Sequence, residues 1–568
     1  MANDPNTIQY VIQEDGFWYI ASKDRTPGVP EITVSSKGVA NGLSTEYNDG
    51  YDFGPDSYNP NSTASIPYTQ TSGIQEAWNY ALSFGSIVQE VHLLSGVFMI
   101  SAPIIVKYIN EPSYFNSDNE AAISAPSIVG VSNPNGMYNY SPLGTVIQCS
   151  DSFPSGEYAI AYIVPDTAFV SGATNPQFIG ARLQRFTLDC NNLGAGICLF
   201  QLGNSRIEDI AIRDPTTPSP SLTKGISSTQ QSIQTGAFVQ YLTSNSGEYS
   251  IFSHIQIRGT AYEDGFVLYN IAGPSKFDTL WCSHGAQRYG FNVACSSQYP
   301  TYLVNPESDP IGGWTGSVPN TGDPQSAGYL FTLAGGKIII ENNQTFLGVP
   351  AGMPYIYVNG TYDITLIGGT FYATNNTSAG PYVIESPSSY RLMAINSSFS
   401  YNSLYNGAID ITGFATYASS VFLSLIDCYF KDNNSGTQTY KPVSITYPSS
   451  FPYPLHLSSF VDNQGRYLGG MSPTLSANPP SSATAYQNAN PYDIRIYLPV
   501  YATTAGTAGT VAYGEDASST VTEMTARYVN GATSSTAVDI VELVVPAGHY
   551  YEFTASGVTF GTATVKAV

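Results

Sequence analysis

A chain of 568 residues with a formal net charge of -22 and only 20 basic residues sets aside nucleic-acid binding, since phosphate contacts need clustered Lys and Arg, which this sequence lacks. An apolar content of 42% is enough for a large core. Charged residues, at 11%, are too few for a disordered chain or a solvated helical bundle, and 43 Tyr with 52 Gly favour polar, uncharged β-structure. A surface with few charges loses little when carboxylates protonate near pH ~4, so tolerance of acid is expected.

The first element in chain order is a hairpin. Residues 8–22, IQYVIQEDGFWYIAS, alternate in polarity and break at Glu14-Asp15-Gly16, a turn signal. Pro- and Gly-containing segments come next, and residues 1–70 as a whole read as a hairpin plus an extended arm suited to attachment. The N-terminal stretch MANDPNTIQYVIQEDGFWY has no charged region ahead of an apolar one, so no secretory signal is expected. No run of 18 apolar residues occurs, and no membrane span is expected.

Residues 71–106 organise the rest of the chain. Ile74, Trp78, Ala81 and Leu82 fall on one face of a short helix, with Ser72 as its expected cap and Gln75 at capping-box spacing. The period then changes to two: Val91 and Leu93, then Val97 and Met99, alternate with their neighbours around a break at Ser95-Gly96. A helix that plugs one end and leads straight into short strands suits a solenoid, whose first coil would otherwise expose an apolar cross-section. Ile74, Gln75, Ala77 and Ala81, then Val91, Leu93, Gly96, Phe98, Ile100, Pro103 and Ile104, resemble the opening of the pectate-lyase-like right-handed parallel β-helix superfamily. The resemblance implies an all-β, right-handed, single-stranded parallel β-helix with an N-terminal cap helix. It leaves the chemistry open, because this group includes lyases, hydrolases, viral tailspikes and inert adhesins.

A repeat apolar-x-x-apolar-x-apolar then recurs as Leu183-Phe186-Leu188, Ile207-Ile210-Ile212, Phe252-Ile255-Ile257 and Phe277-Leu280-Cys282. A second register appears as Ile364-Leu366-Phe371, Leu392-Ala394-Phe399 and Leu423-Leu425-Phe430. No coil can bury its inner face alone; stacking rungs about 4.8 Å apart does so. The helix is expected over residues 71–465, followed by a Pro/Ser/Ala-rich linker at 466–492. Short strands at regular spacing over 493–568 predict a C-terminal antiparallel β-sandwich. Its segment VVPAGHYYEFTASGV is similar to the terminal strands of viral tail and spike proteins, where such modules trimerise or bind ligand.

Aligning the coils stacks side chains into columns: Arg185, Asp209, His254, Thr279; Gln184, Glu208, Ser253, Asp278; and Asp189, Arg213, Arg258, Ser283. Arg185 with Asp209, and Asp189 with Arg213, would then neutralise each other. The competing reading takes Glu208, Asp209 and Asp278 as catalytic acid/base candidates for glycoside cleavage, which needs two carboxylates about 5 to 9.5 Å apart. His254 or Arg258 could assist them. The polygalacturonase-type signature is nearly absent, with only Ser283-His284-Gly285 matching a fragment of it. Glu263-Asp264, followed by Gly265-Phe266, reads as a turn.

The six cysteines show no zinc spacing, and five dispersed histidines imply no metal, so neither metal nor cofactor is expected. Cys190 and Cys198 could bridge a loop, but small buried hydrophobes explain the cysteines more simply. Asn61, Asn139, Asn343, Asn359, Asn375, Asn376, Asn396 and Asn433 are N-glycosylation sequons. Tyr114-Phe115, Tyr138-Asn139-Tyr140, Tyr401 and Tyr405 offer aromatic faces for sugars.

The expectation is a virion-surface spike or tail-fibre adhesin that forms a homotrimer or another homo-oligomer, contacts other virion proteins through its N-terminal arm, and binds host-surface glycans. Catalysis is not expected to be its main role. A polysaccharide-degrading depolymerase and a cellular surface adhesin are the alternatives.

Overall fold

The structure, a computed structural model, describes residues 11–14, 17–20, 31–36, 53–54, 58–63, 66–82, 90–107, 122–124, 127–132, 144–163, 177–219, 235–241, 250–269, 276–295, 300–320, 322–332, 336–345, 349, 353–360, 362–373, 380–386, 391–401, 405–411, 422–432, 443–445, 456–458, 461–462, 475, 477–488, 493–503, 509–529, 539–546 and 548–567. The chain divides into two compact units, Met1–Gly360 and Thr361–Val568.

In the first unit the hairpin forms as expected, with Val11–Glu14 antiparallel to Phe17–Ile20. The helix spans Ile74–Leu82, and its face of Ile74, Ala77, Trp78 and Ala81 is buried. Its start differs from expectation. Ser72 has a φ of 54° and donates its hydroxyl to the Met99 carbonyl instead of capping the helix. Thr71 takes that role: its hydroxyl oxygen accepts from the Gln75 N–H at 3.1 Å and its carbonyl accepts from the Ile74 N–H. Gln75 is thereby released to pair with a strand edge, its amide both donating to the Ile105 carbonyl and accepting from the Ile105 N–H. The helix therefore ties down the first coil through the side chain read as part of a capping box.

Three ladders of parallel strands come after it. The first runs through Glu31–Val34, Glu90–Leu93, Ser127–Gly130, Arg182–Asp189, Arg206–Arg213, Ile251–Tyr262, Lys276–Ala286, Pro300–Val304 and Gly336–Asn343. The second includes Ile160–Ile163, Ile197–Phe200, Gly236–Tyr241, Asp264–Tyr269, Tyr289–Ala294 and Ala327–Thr332. The third is short: Ala122–Ser124, Gln177–Ile179 and Leu202–Gly203. One coil thus passes from 182–189 to 197–200, to 202–203, and returns to the first ladder at 206–213. Because Glu31–Val34 is a rung, the ladder begins inside the 1–70 stretch.

The registers match the repeat read from sequence: Leu183 faces Ile207, Ile207 faces Phe252, and Phe252 faces Phe277. These positions, with Phe186, Ile210, Ile255 and Leu280, are buried. Identical inward positions one rung apart bring rings face to face, Phe252 on Phe277 at 4.8 Å and Phe266 on Phe291 at 4.9 Å. One phase shift falls within the expected alternation. After Gly96 (φ 138°), Phe98 and Ile100 point inward, while Val97 and Met99 are 46% and 47% exposed. The strand restarts on the opposite face, as a one-residue slip dictates. All six cysteines are buried and free, so no Cys190–Cys198 bridge exists.

In the second unit the other predicted register holds: Ile364 faces Leu392, Leu392 faces Leu423, and Phe371, Phe399 and Phe430 stack in turn. The C-terminal part forms two four-stranded antiparallel sheets. Ile494, Ile496, Leu498 and Val500 alternate inward from one, and meet Val511, Tyr551 and Phe553 of the other in one core.

Candidate functional site

The x-x of the repeat has a backbone cause. Arg185, Asp209, His254 and Thr279 all have φ between 52° and 60°, and Asn305 and Asn342, which follow paired residues on the next rungs, have 48° and 53°. One left-handed residue in each coil bends the strand, which is why the inward residues on either side are spaced by three. The second unit repeats the device at Asn396 and Asp427 (53° and 50°). Non-glycine residues tolerate this region at a cost of about 1–2 kcal/mol each, and Asn and Asp accept it best.

On the outward face beside this corner, Gln184, Glu208, Ser253 and Asp278 stand in one column, as aligned from sequence. Glu208 accepts from Gln184 Nε2 at 2.8 Å and Ser253 Oγ at 3.3 Å, and lies 3.5 Å from Arg206 Nη2. Asp278 binds Lys276 Nζ at 2.9 Å and accepts from the Thr279 hydroxyl at 3.0 Å and Asn305 Nδ2 at 3.4 Å. Burial works to raise the Asp278 carboxyl, but these donors outweigh it and hold it below the usual range. Each of these carboxylates is matched by a cation two residues earlier on its own strand. They sit two rungs apart, about 9.6 Å at ~4.8 Å per rung, with Ser253 between them.

Asp209 is half exposed and lies 3.8 Å from His254 Nδ1; among the described residues no ion pair joins it to Arg185. In the third column Asp189 faces Arg213, and Arg213 faces Arg258. The next member is His284 instead of Ser283, because the ladder slips after Ile257. Burial raises the Asp189 carboxyl, opposed by the Asn191 N–H and by Arg213; Gln148 also donates to it at 3.0 Å.

Two further carboxylate groups stand out, one absent from the sequence reading and one read there as a turn. Glu307 lies opposite Trp281 on the ladder and is 5% exposed. Burial pushes its carboxyl up to about 7, with Asp309 adding to the rise and Ser283 opposing it. The second group corrects the Glu263-Asp264 turn: Asp264 opens the fully buried strand Asp264–Tyr269. Arg288 holds it with two parallel bonds of 2.8 and 2.6 Å and reaches Glu263 at 2.7 Å. Thr235 and Asn292 also donate to Asp264. Burial, reinforced by Asp264, raises the Glu263 carboxyl even against Arg288, whose charge is already shared with Asp264. Arg288 also donates to the Ser317 carbonyl and lies over Trp314 at 5.6 Å, while Tyr289 donates to the Pro324 carbonyl. The cluster therefore pins the 309–326 excursion to the second ladder. The 25-residue offset that aligns Phe266 with Phe291 also sets Glu263 against Arg288, and was the available signal.

Of the sequons, Asn343 is buried, accepts from Tyr329 and donates to Thr345 and Tyr355, a setting that leaves no room for a glycan. Asn359 donates to Asp323, and Asn396 is exposed at the left-handed corner. Asn61 lies in the strand Tyr58–Thr63 with its side chain outside the described residues. Asn139, Asn375, Asn376 and Asn433 lie outside them altogether, as do Tyr114, Phe115, Tyr138 and Tyr140; the side chains of Tyr401 and Tyr405 do too. Among the described residues no three His, Cys, Asp or Glu side chains converge to hold a metal, and no helix is long and apolar enough to cross a membrane.

The chain is all-β with large parallel sheets, and the stacked parallel ladders of its first unit are those of a parallel β-helix, the fold of the superfamily that the 74–104 stretch resembles. No protein-family description matches the chain, and no curated protein does. Among solved structures it is similar to the enzymatically active domain of bacteriophage CBA120 tailspike protein 4, at 11% identity and a TM-score of 0.37 over 88% of this chain and 67% of that one. It is similar to ORF18 of Geobacillus virus E2, at 14% identity and a TM-score of 0.36 over 94% and 81%. The A-module of the Azotobacter vinelandii mannuronan C-5 epimerase AlgE4 shares 13% identity at a TM-score of 0.35 over 68% and 94%. Likeness of this degree defines no function.

Proposed function

We propose that this chain is a virion-surface spike adhesin that attaches the particle to host-surface glycans through the outward wall of its β-helix. One observation carries the reading. The outward column holds hydrogen-bonding groups in register, and its carboxylates Glu208 and Asp278 are engaged by Arg206, Lys276 and neutral donors. Such a wall offers a sugar many polar contacts without a proton donor and acceptor poised for bond cleavage. The solenoid of this spike winds right-handed, the hand that a twisted parallel sheet favours for its crossovers. The 1–70 stretch contacts other virion proteins, residues 493–568 form a sandwich module, and the chain assembles as a homotrimer.

A second reading has one observation in its favour. Glu307, held near pH 7 beside Trp281, has the character of a general acid, which a depolymerase would use. In that reading Glu208, Asp209 and Asp278 remain the acid/base candidates, and Glu307 joins them.

Particles purified from an infected culture test the adhesin reading. An antibody against the strands that carry the outward column, Arg206–Arg213 and Lys276–Ala286, is expected to label them and to block adsorption to host cells. Equal labelling of uninfected cells, with no effect on adsorption, would contradict it.

A further inference from the structure

Cys149 ends the strand Thr145–Cys149, and Cys190 directly follows the strand Arg182–Asp189. These strands are parallel neighbours in which Gln148 faces Asp189, so the next position on each sets one cysteine beside the other. Adjacent rungs lie about 4.8 Å apart, inside the Cα separation of roughly 4.4–6.8 Å that a disulfide spans. Both residues have no exposed surface.

The two side chains share one small space. The Leu193-Gly194 turn closes over it, with both N–H groups donating to the Cys190 carbonyl at 2.9 Å. A Cβ at Gly194 would sit 2.8 Å from Cys149 Sγ and 3.5 Å from Cys190 Cβ, with the Phe153 ring at 3.6 Å. Gly194 is therefore the residue that leaves room for the sulfurs to face one another. Burial raises the Cys190 thiol, and the neighbouring Cys149 thiol raises it further, which is consistent with direct contact.

We propose that Cys149 and Cys190 are the two halves of an inter-coil cross-link that closes under oxidising conditions. Two S–H bonds break and one S–S bond forms. Two protons and two electrons pass to a small-molecule disulfide such as oxidised glutathione, which is cleaved to two thiols by way of a mixed disulfide. The remaining cysteines are not part of the device; in particular, Cys198 belongs to a separate apolar cluster with Tyr158, Phe200 and Val267. Closure ties the coil containing Thr145–Cys149 to the next one, and limits how far the unfolded chain between them can expand.

The test uses the full chain. The protein is incubated with oxidised glutathione, acid-quenched, denatured, alkylated and mapped by mass spectrometry. Two fewer alkylations than the six free thiols allow, with one linked peptide pair joining Cys149 to Cys190, is the expected result. The melting temperature should rise by several degrees on oxidation and return with dithiothreitol. That shift should vanish in Cys149→Ala and persist in Cys198→Ala. Six alkylations after prolonged oxidation, or a link through any other pair, overturns the proposal. Because mapping is done on the unsubstituted chain, a variant that fails to fold does not obscure the answer.

Discussion

Single side chains set the pH response of this protein. Glu307 keeps its proton up to about 7 in the folded chain, against an ordinary value of 4.5. Glu263 and Glu76 are likewise raised, mainly by burial. Between the ordinary value and the raised one the native state binds more protons than the unfolded chain, so this contribution to stability falls as pH rises from about 4.5 to about 7. Melting temperature is therefore expected to be higher at pH 5 than at pH 8, and Glu307→Gln should flatten that slope. A slope unchanged in the variant would assign the loss to other groups. Scarcity of charge in the sequence indicated acid tolerance. It could not indicate which carboxyls are buried, because Glu307 and Glu263 carry no local pattern that separates them from surface acids.

Among the elements, the ladders were legible and the 309–326 excursion held by Arg288 and Tyr289 was not. Inward spacing at i, i+3 and i+5 appears in every coil from Leu183 to Cys282, and its physical origin is one left-handed residue per coil at Arg185, Asp209, His254 and Thr279. A repeat enforced by backbone geometry is visible in a single sequence. The slip that replaces Ser283 with His284 is not, since it adds a residue without changing the apolar positions before it. Val97 and Met99 alternate with Phe98 and Ile100 as read, and since apolar residues occur on both faces of that strand, the period alone does not say which pair points inward; the resemblance named Phe98 and Ile100, which are the buried pair. The Arg288 cluster joins one coil to the next and was hidden by reading Glu263-Asp264 locally. Removing its cation should be costly. Arg288→Ala leaves Asp264 buried without its guanidinium and should destabilise the first unit by about 3–5 kcal/mol. Denaturant melts check this, and a loss below about 1 kcal/mol would mean the excursion is held by other contacts.

At the largest scale, the parallel ladders set a buried apolar repeat against a polar outward face, in a chain of which only 11% is charged. Parallel stacking satisfies the backbone and buries the repeat, which leaves the outward columns polar, with the carboxylates Glu208 and Asp278 matched by Arg206 and Lys276. Recognition by such a wall depends on hydrogen bonds and shape more than on long-range attraction, so it should respond weakly to salt. The most direct measurement is binding of the full-length protein to purified host-surface polysaccharide, with new reducing ends assayed in the same sample. Saturable binding that changes little between low and physiological ionic strength, with no release of reducing ends, is the expected result. Absence of binding would contradict the adhesin function, as would steady release of reducing ends that Glu307→Gln abolishes.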